Sequence, residues 1–431
     1  MNKQELIQRV LKFLAKKVLK KYKPKVIAIT GSVGKSTAKE MIYRALTDGQ
    51  NTNEKKKIIW KSEKNYNNEI GIPLAILGVK GEKKSLWQWI KVISQAISLI
   101  IFPIYSKYPN ILVLEFGADK PGDIKYFCDF IPVDVGVVTN VGISHLENFG
   151  SQKKIFQEKI FLLKSAKNLQ VANIDGIEIR KNNSFKNLQT YAIINQADFR
   201  LRNIGYNYTK DNFLQGMIFE LEYKGKVIAG KLNQVLGYPY LYGVLSALVV
   251  SHYFKYNLTK VSQALENIPS IPGHMSILNG IKHTRIIDDT YNSAPASVKE
   301  ALRVVKKVDS QRKIIVLGDM LELGKLEKGE HKLIGKKMAE IKNSILVAVG
   351  DRMRVAFEKY REIIQGDDES RAYWFQNSIE AGRWLQDFMR QGDLILVKGS
   401  QRMRMEKIVE EIMAEPNKKK QLLVRQNKDW K

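Results

Sequence analysis

A glycine-rich loop near the start of the chain carries residues whose types and spacing suit polyphosphate binding. The segment Thr30–Thr37 has the sequence Thr-Gly-Ser-Val-Gly-Lys-Ser-Thr, and it joins the apolar run Val26–Ile29 to a helical pattern. Backbone N–H groups in such a loop, together with the positive end of the helix dipole, attract phosphate oxygens. Lys35 would reach the β- and γ-phosphates, and the Ser36 hydroxyl would hold Mg²⁺. A tight turn that binds no ligand is the alternative interpretation.

Two further apolar runs end in polar residues that could complete this site. Ile111–Glu115 and Val133–Asn140 are almost continuously apolar, which is typical of strands covered on both faces of a parallel sheet. Ligands of such sheets bind at the carboxyl ends of the strands. We therefore expect Glu115 and His145 to lie beside the loop as ligands for a divalent cation. An exposed strand-end carboxylate and an ordinary turn histidine are the alternatives. The loop residues predicted to bind a nucleoside triphosphate are Thr30, Gly31, Ser32, Gly34, Lys35, Ser36 and Thr37.

The composition limits the class of protein. The 431-residue chain carries a net charge of +27 and contains a single cysteine, Cys128. One cysteine excludes a disulfide framework and a cysteine-based zinc site, and it fits a reducing cytoplasm. The lysines are scattered and no RNA-binding pattern stands out. The charge therefore indicates a lysine-rich surface rather than a nucleic-acid partner.

The order of the apolar segments predicts an α/β fold with two main domains. Strand-like and helical segments alternate after the loop, as in a mostly parallel sheet, and alternating residues between 198 and 232 predict an antiparallel meander. Pro269, Pro272 and Gly273 mark a boundary. The predicted divisions are a basic N-terminal helix over 1–24, a P-loop central domain over 25–270 with a hydrophobic insertion at 85–106, a smaller Rossmann-like α/β domain over 271–415, and a basic, frayed tail over 416–431.

Two apolar helices are predicted outside the β/α pattern. The N-terminal helix places an apolar stripe at helical spacing between basic residues, and we expect this stripe to pack on the following domain. A helix that lies on a membrane surface is the alternative. The insertion at 85–106 is highly hydrophobic, but its uncharged part is shorter than the roughly 20 residues of a membrane span. We expect it to be buried, or to lie on a membrane or partner surface. The predicted N-terminal stripe consists of Leu6, Val10, Phe13, Leu14 and Val18.

Several motifs in sequence order resemble those of the Mur ligase family of ATP-dependent amide-forming enzymes, most closely its D-alanyl-D-alanine-adding branch. The resemblance extends from residue 25 to about residue 412. The matching segments are Thr30–Thr37, Tyr66–Pro73, Leu114–Ala118, Thr139–Ser151, Asp288–Pro295, Val316–Gly324 and Val397–Glu406.

This resemblance implies a reaction and a set of metal ligands. A substrate carboxylate attacks the ATP γ-phosphate to give an acyl phosphate, and an amine then displaces the phosphate. By resemblance, Lys35 neutralises the γ-phosphate, while Ser36 and Glu115 bind one Mg²⁺. His145 helps to bind a second Mg²⁺. Lys159 matches the family lysine that is carbamylated, a change that converts its ammonium group into a carboxylate-like metal ligand; on the residues alone it is one lysine among many.

The resemblance also assigns contacts with the nucleotide and the acceptor. Asn140 is expected to contact the adenine, Asp289 the ribose, and Tyr291 to line the nucleotide site. Asn67 and Asn68 are expected to face the acceptor substrate, although adjacent asparagines before a helix could also serve as caps.

Three features of the sequence depart from the family pattern. The family arginine at the domain junction, which can face the γ-phosphate, is His274 in this chain. Arginine is always charged, whereas histidine is mostly neutral at pH 7. The His-Asn pair near the adenine is replaced by Pro239 and Tyr240. The glutamate that follows the carbamylated lysine is absent, since Ile160–Phe161 come next. These changes are expected to alter nucleotide affinity or substrate choice.

The family's N-terminal domain, which grips the UDP-sugar end of the substrate, is not recognised in residues 1–24. We nevertheless expect a monomeric cytoplasmic ligase that joins D-Ala-D-Ala to a UDP-MurNAc-tripeptide, and a location at the inner face of the membrane is left open. This reaction belongs to peptidoglycan precursor synthesis, and hence to cell-wall formation, cell shape and division. One alternative is a related ligase with another carboxylate acceptor, as in the polyglutamate-adding and cyanophycin enzymes. Another is a non-catalytic ATP-binding protein docked on a membrane through 1–24 and 85–106.

Overall fold

The computed structural model describes most of the chain. The described residues are 3–50, 56–63, 66–79, 86–102, 108–142, 146–179, 185–364 and 371–426.

Two compact units divide the chain, and the division does not follow a single boundary. The first unit contains Met1–Ile204, Phe219–Lys231 and Tyr238–Ile268, and the second contains Gly205–Ile218, Leu232–Gly237 and Pro269–Lys431.

Helices and strands are mixed along the described residues up to Leu265, with five strands in succession between Leu169 and Asn233. In chain order they are α1 (Lys3–Tyr22), β1 (Lys25–Thr30), α2 (Lys35–Asp48), β2 (Ile59–Lys61), α3 (Gly71–Ile76), α4 (Leu86–Ile101), β3 (Ile111–Glu115), α5 (Asp123–Cys128), β4 (Val135–Val138), α6 (Leu146–Phe149), α7 (Gln152–Ser165), β5 (Leu169–Asn173), β6 (Leu188–Ala192), β7 (Phe199–Tyr208), β8 (Leu214–Tyr223), β9 (Lys226–Asn233), α8 (Tyr238–Tyr253) and α9 (Leu258–Leu265).

The larger sheet has nine strands within the described residues, in the order β2-β3-β1-β4-β5-β6-β7-β8-β9. All neighbouring strands from β2 to β7 pair in parallel, which confirms the mostly parallel sheet. Strand β1 lies between β3 and β4, so the residues that follow these three strands meet at one edge. Lys224 and Gly225 both have positive φ in the two-residue turn between β8 and β9, a geometry that favours an antiparallel hairpin.

The packing face of α1 differs from the predicted stripe. The helix does pack on the core of the first unit, but its buried residues follow the spacing i, i+3, i+4, i+7 and i+8 from Leu11. Leu14 and Val18 are buried as expected, whereas the other three predicted stripe residues are exposed. Apolar residues occupy more than one side of this helix, so the sequence alone could not show which side would face the core. The exposed residues are Leu6, Val10 and Phe13.

Helix α4 is only half-buried. Val92 and Ala96 lie in the same core cluster as α1, with Trp89, Leu99 and Ile100 packed against it. The opposite side of α4 is exposed and also apolar. None of the described helices is both long enough and apolar enough to cross a bilayer.

The elements after residue 270 form a second α/β arrangement. They are β10 (Ser276–Gly280), β11 (Thr284–Asp289), α10 (Pro295–Lys307), β12 (Lys313–Gly318), α11 (Glu327–Ala339), β13 (Ser344–Val349), α12 (Arg354–Ile363), β14 (Ala372–Phe375), α13 (Ser378–Phe388), β15 (Leu394–Lys398), α14 (Glu406–Ile412) and α15 (Lys419–Leu422).

The six-stranded sheet of this unit has the order β10-β11-β15-β12-β13-β14 in the described part of the chain. Every pairing is parallel except that of β10 with β11. The apolar runs at 285–289, 313–319, 345–350 and 393–399 predict four strands, which match β11, β12, β13 and β15. The two edge strands, β10 and β14, were not predicted.

Residues 416–426 pack on the second unit, which differs from the expected frayed tail, and the rest of the predicted tail lies outside the described residues. Leu423 and Val424 are buried. The Arg425 guanidinium donates to the Glu406 carboxylate at 2.8 Å, and both side chains are almost fully buried. A buried arginine–carboxylate pair holds this segment in place, and composition alone could not reveal it.

Candidate functional site

The glycine loop has the geometry that the sequence predicts. Gly34 has a φ of 84° and directly precedes α2, a left-handed conformation that glycine adopts without strain. Gly31 lies so close to Thr139 that a Cβ at Gly31 would be 2.0 Å from the Thr139 Oγ1. Backbone N–H groups at this turn and the N-terminus of α2 together form a potential anion-binding surface.

Hydrogen bonds join the glycine loop to the ends of the neighbouring strands β3 and β4. The Thr139 Oγ1 donates to the Val33 carbonyl at 2.6 Å, and the Ser32 N–H donates to the Asn140 carbonyl at 2.9 Å. The Thr30 hydroxyl donates to the carbonyl of Phe116, the residue that follows β3, at 2.9 Å. These bonds fix the loop relative to β3 and β4.

Lys35 bends back over the loop. Its Nζ donates to the Gly31 carbonyl at 2.9 Å. Burial lowers the pKa of Lys35, although the carboxylates of Glu115 and Asp119 act in the opposite direction. A lysine whose charge is poorly solvated is well placed to interact with an anionic ligand.

Glu115 is a buried carboxylate that has two polar partners on α2. The Ser36 Oγ donates to its two carboxylate oxygens at 3.2 and 3.0 Å. Lys39, one turn of α2 after Lys35, forms an ion pair with it at 3.0 Å, and both partners are only 7% exposed. The structure therefore brings Ser36 and Glu115 together, as the sequence predicts, and it adds a positive charge that the sequence analysis missed. The sequence feature that could have indicated Lys39 is its i, i+4 spacing from Lys35, which places both residues on one side of α2.

Lys159 is a buried lysine on α7. Its side chain is among the largest that are fully buried. Burial lowers its pKa to about 8, and the positive charge of Lys35 adds to this shift, whereas Glu158 and Asp119 oppose it. A large fraction of its amine is therefore neutral at mildly alkaline pH, unlike that of a surface lysine.

Asn140 follows β4 and lies against the loop after β5. Its Oδ1 is buried and has no hydrogen-bond partner among the described residues. The next residue, Val141, donates its N–H to the Gly176 carbonyl at 3.0 Å. An orphaned acceptor of this kind is costly unless a ligand satisfies it.

Asp175 holds the loop against which Asn140 lies, a role that the sequence analysis did not assign. Its carboxylate accepts three backbone N–H groups, from Ile193, Ile194 and Asn195, and the Tyr242 hydroxyl at 2.9 Å. Burial acts to raise the pKa of Asp175, but these donors outweigh it and the pKa is lowered. The sequence feature that could have indicated Asp175 is its position after the carboxyl end of a strand.

The two predicted acceptor residues have different surroundings. The Asn68 Oδ1 accepts the N–H groups of Ile70 and Gly71 at the start of α3, at 3.2 and 2.8 Å, and is thus used as a helix cap. The Asn67 carbonyl accepts the Gly117 N–H at 2.8 Å. Asn67 therefore lies beside the segment that follows Glu115.

The predicted second metal ligand, His145, lies outside the described residues. Among the described residues, no group of three or more His, Cys, Asp or Glu side chains is arranged to hold a metal ion.

Asp289 and Tyr291 belong to the second unit and are close to one another there. The Lys398 Nζ donates to the Asp289 Oδ2 at 2.6 Å, an ion pair that is nearly buried. The Tyr291 ring stacks on His274 with centroids 4.5 Å apart. Tyr291 is partly exposed and offers an aromatic face. Lys398 was not assigned a role from the sequence because its partner lies on another strand of the sheet.

The positions of the family His-Asn pair differ in exposure. Pro239 is exposed, whereas Tyr240 is buried at the start of α8. These two residues therefore do not present the polar pair of the family pattern at this position.

Two family models match the chain. The model described as the Mur ligase middle domain matches residues 29–87 and 96–250. The model described as Mur ligase, glutamate ligase domain, matches residues 273–401. The chain belongs to the Mur ligase family. The unmatched residues 88–95 lie within α4.

Curated relatives of this Mur ligase carry a more specific name. The UDP-N-acetylmuramoyl-tripeptide–D-alanyl-D-alanine ligase of Bacillus subtilis is 26% identical over 412 residues, covering 94% of this chain and 79% of the relative. The ligase of the same name from Buchnera aphidicola subsp. Baizongia pistaciae is 29% identical, covering 91% and 76%. Thus the similarity extends across both units of the Mur ligase.

A crystal structure of the MurF ligase from Thermotoga maritima in complex with ADP has the same fold. The TM-score is 0.71 at 24% identity, covering 94% of this chain and 83% of the other. The predicted α/β fold class is thereby confirmed for this Mur ligase.

The buried pair of Lys39 and Glu115 gives a first prediction. Lys39→Met should lower the free energy of unfolding by about 3 kcal/mol, because the Glu115 carboxylate would remain buried without a counter-charge. Combining Lys39→Met with Glu115→Gln should recover more than about 1 kcal/mol relative to the sum of the single changes. Denaturant titration of the four proteins measures this coupling.

The exposed pair of Lys125 and Asp129, on α5 and the residue after it, is the matched control, since both side chains are more than half exposed. Its coupling should be below about 1 kcal/mol. Additive effects of the Lys39 and Glu115 changes would contradict the interpretation of the buried pair.

Proposed function

We propose that this Mur ligase joins D-Ala-D-Ala to a UDP-MurNAc-tripeptide with ATP, as a step of peptidoglycan precursor synthesis. The observation that supports it most is the meeting of the glycine loop, Glu115 and Lys159 in one unit of a chain that has Mur ligase similarity over both units. The name of the relatives supplies the substrate pair. The backbone N–H groups of the loop, the N-terminus of α2 and Lys35 support the use of ATP.

In this proposal, the loop side chains prepare the γ-phosphate for attack. The acceptor carboxylate attacks the γ-phosphorus and the bond to the β-phosphate oxygen breaks, which gives an acyl phosphate and ADP. The amine of D-Ala-D-Ala then attacks the acyl carbon, loses a proton, and phosphate leaves. Lys35 and the N-terminus of α2 stabilise negative charge on the transferred group, the main requirement of such a step.

Ser36 and Glu115 are the proposed ligands of a Mg²⁺ ion. Their oxygen atoms are 3.0 Å apart, and a hydroxyl next to a carboxylate is a donor set that suits a hard cation. The remaining positions would be filled by phosphate oxygens and water. Mg²⁺ bound there supplies charge neutralisation on the phosphates. His145 stays the proposed ligand of a second Mg²⁺.

Lys159 is proposed to be carbamylated. Its neutral amine adds to CO₂ with release of a proton, and the product carries a carboxylate in place of the ammonium. The lowered pKa of Lys159 favours this reaction, because only the neutral amine has a free electron pair. Conversion of a buried cation into an anion would also remove its repulsion with Lys35.

Contacts with the rest of the nucleotide and with the acceptor complete the proposal. The orphaned Asn140 Oδ1 is suited to accept a hydrogen bond from the adenine amino group. Asp289 would bind the ribose, and Tyr291 would line the nucleotide site. Asn67 is proposed to contact the acceptor. Asn68 would act mainly by holding the start of α3, since its Oδ1 is already used.

We further infer that the ligase is a cytoplasmic monomer. Its single cysteine fits a reducing compartment.

The substrate assignment predicts a strict dependence of phosphate release on both partners. Phosphate release from ATP should require a UDP-muramoyl tripeptide together with D-Ala-D-Ala, and Lys35→Met should lower kcat/KM by about 100-fold or more. The measurement is a phosphate-release assay over a panel of UDP-muramoyl peptides and amino-acid or dipeptide donors. Lys164→Met, at an exposed position of α7, is the control and should retain activity.

Turnover with a different carboxylate acceptor would contradict the proposed substrate and would show that the chain is a ligase with another acceptor. ATP binding without turnover for any pair in the panel would contradict the ligase proposal and favour a non-catalytic ATP-binding protein.

The Lys159 proposal predicts a carbamate signal in ¹³C NMR after addition of ¹³C-labelled bicarbonate. At a fixed CO₂ concentration, the signal should increase as the pH rises through about 8, because the neutral fraction of the amine increases over this range. Lys159→Met should remove the signal and the activity, whereas Lys164→Met should keep both. A signal that persists in Lys159→Met would contradict the assignment.

A further inference from the structure

Helix α4 is apolar on two opposite sides. One side is buried in the core of the first unit through Val92 and Ala96. The other side carries large exposed side chains, with Trp87 81% and Ile101 65% exposed. A helix that is apolar all round is normally covered on all sides. The outer side of α4 therefore requires an explanation, and its central residues 88–95 lie outside the family match.

Helix α1 holds α4 in this position. The Lys21 Nζ donates to the carbonyls of Leu99, Ile100 and Phe102 at 3.0, 2.8 and 2.7 Å. The Tyr22 hydroxyl donates to the Leu99 carbonyl at 2.8 Å. These donors satisfy carbonyl groups that the end of a helix leaves free. A cation at this end also interacts favourably with the negative end of the helix dipole. The exposed side of α4 thus belongs to a fixed pair of helices.

The exposed side of α1 combines apolar and basic residues. Phe13 is 59% exposed, and the Lys17 ammonium lies over its ring at 5.4 Å from the centroid. Arg9, Lys16 and Lys20 are exposed on the same helix. In total α1 contains seven basic residues and one acidic residue, and α4 contains no acidic residue. We call the exposed apolar residues of these two helices the α1–α4 face: Leu6, Val10, Phe13, Trp87, Ile90, Ile93, Ile97, Ile101 and Phe102.

We propose that the α1–α4 face docks on an anionic lipid membrane. Helices that lie in the membrane interface carry apolar and aromatic side chains flanked by cations. The basic residues complement the negative charge of anionic headgroups. The 16 residues of α4 extend over about 24 Å, too short to cross the hydrocarbon core of a bilayer, so the helix lies on the surface. This inference does not rest on the proposed reaction.

Vesicle binding of the full chain tests the proposal. Co-sedimentation should occur with vesicles of phosphatidylglycerol and phosphatidylcholine, and it should be much weaker with phosphatidylcholine alone. The combined changes Trp87→Ser, Ile90→Ser and Ile97→Ser should weaken binding by roughly tenfold or more, because they remove apolar area from the interface. These side chains are exposed, so the variant should keep the circular dichroism spectrum of the unchanged protein.

A control variant carries the same kind of change elsewhere. Ile194→Ser, Val227→Ser and Leu326→Ser remove side chains that are each more than 60% exposed, and this variant should bind vesicles like the unchanged protein. Lys16→Gln with Lys20→Gln should reduce binding to anionic vesicles. Raising the salt concentration from about 0.1 M to about 1 M should also weaken it, as the Debye length falls from roughly 10 to roughly 3 Å.

Three results would overturn the proposal. They are the absence of binding to anionic vesicles, equal loss of binding in the control variant, and a dimer in size-exclusion chromatography that the Trp87, Ile90 and Ile97 changes dissociate. The last result would assign the face to a second copy of the chain.

Discussion

Buried positive charge behind the glycine loop is the constraint on which the nucleotide-binding unit depends. Lys159 is buried and Lys35 is partly buried, and burial lowers the pKa of each. Lys39 is compensated by Glu115, but this pair uses the carboxylate that is the proposed metal ligand. Charge that is withdrawn from water is costly unless an opposite charge is supplied. The phosphate groups of a polyphosphate would supply that charge to Lys35, and the carbamylation proposed for Lys159 would remove its positive charge.

The strand order of the larger sheet brings the charged and polar groups around the glycine loop together. Because β1 lies between β3 and β4, the loop after β1 is adjacent to Glu115 on one side and to Thr139 and Asn140 on the other. Hydrogen bonds from Thr30 and Thr139 then fix the loop to both neighbours. The loop and its partners therefore form a rigid frame, a condition for stabilising charge without reorganisation of the protein.

Local sequence patterns predicted the parts of the fold and site that depend on neighbouring residues. The glycine loop, the central strands of both sheets and the approach of Ser36 to Glu115 all follow from strand–loop–helix periodicity. Contacts between distant segments could not be predicted in this way. The pairing of Arg425 with Glu406 and the face by which α1 packs depend on which segments meet in three dimensions. The spacing of Lys39 from Lys35 places both on one side of α2, but the ion pair of Lys39 with Glu115 also depends on the position of β3 beside β1.

Transfer of oxygen from the acceptor to phosphate tests the central claim most directly. A UDP-muramoyl tripeptide with both oxygens of its reacting carboxylate labelled with ¹⁸O should be incubated with ATP, D-Ala-D-Ala and the full chain. An acyl-phosphate ligase transfers one labelled oxygen to the released phosphate, which ³¹P NMR detects as an isotope shift. We predict one ¹⁸O atom in each phosphate and one peptide bond formed per phosphate released. Unlabelled phosphate would show that water attacks ATP, and it would contradict ligase chemistry at this site.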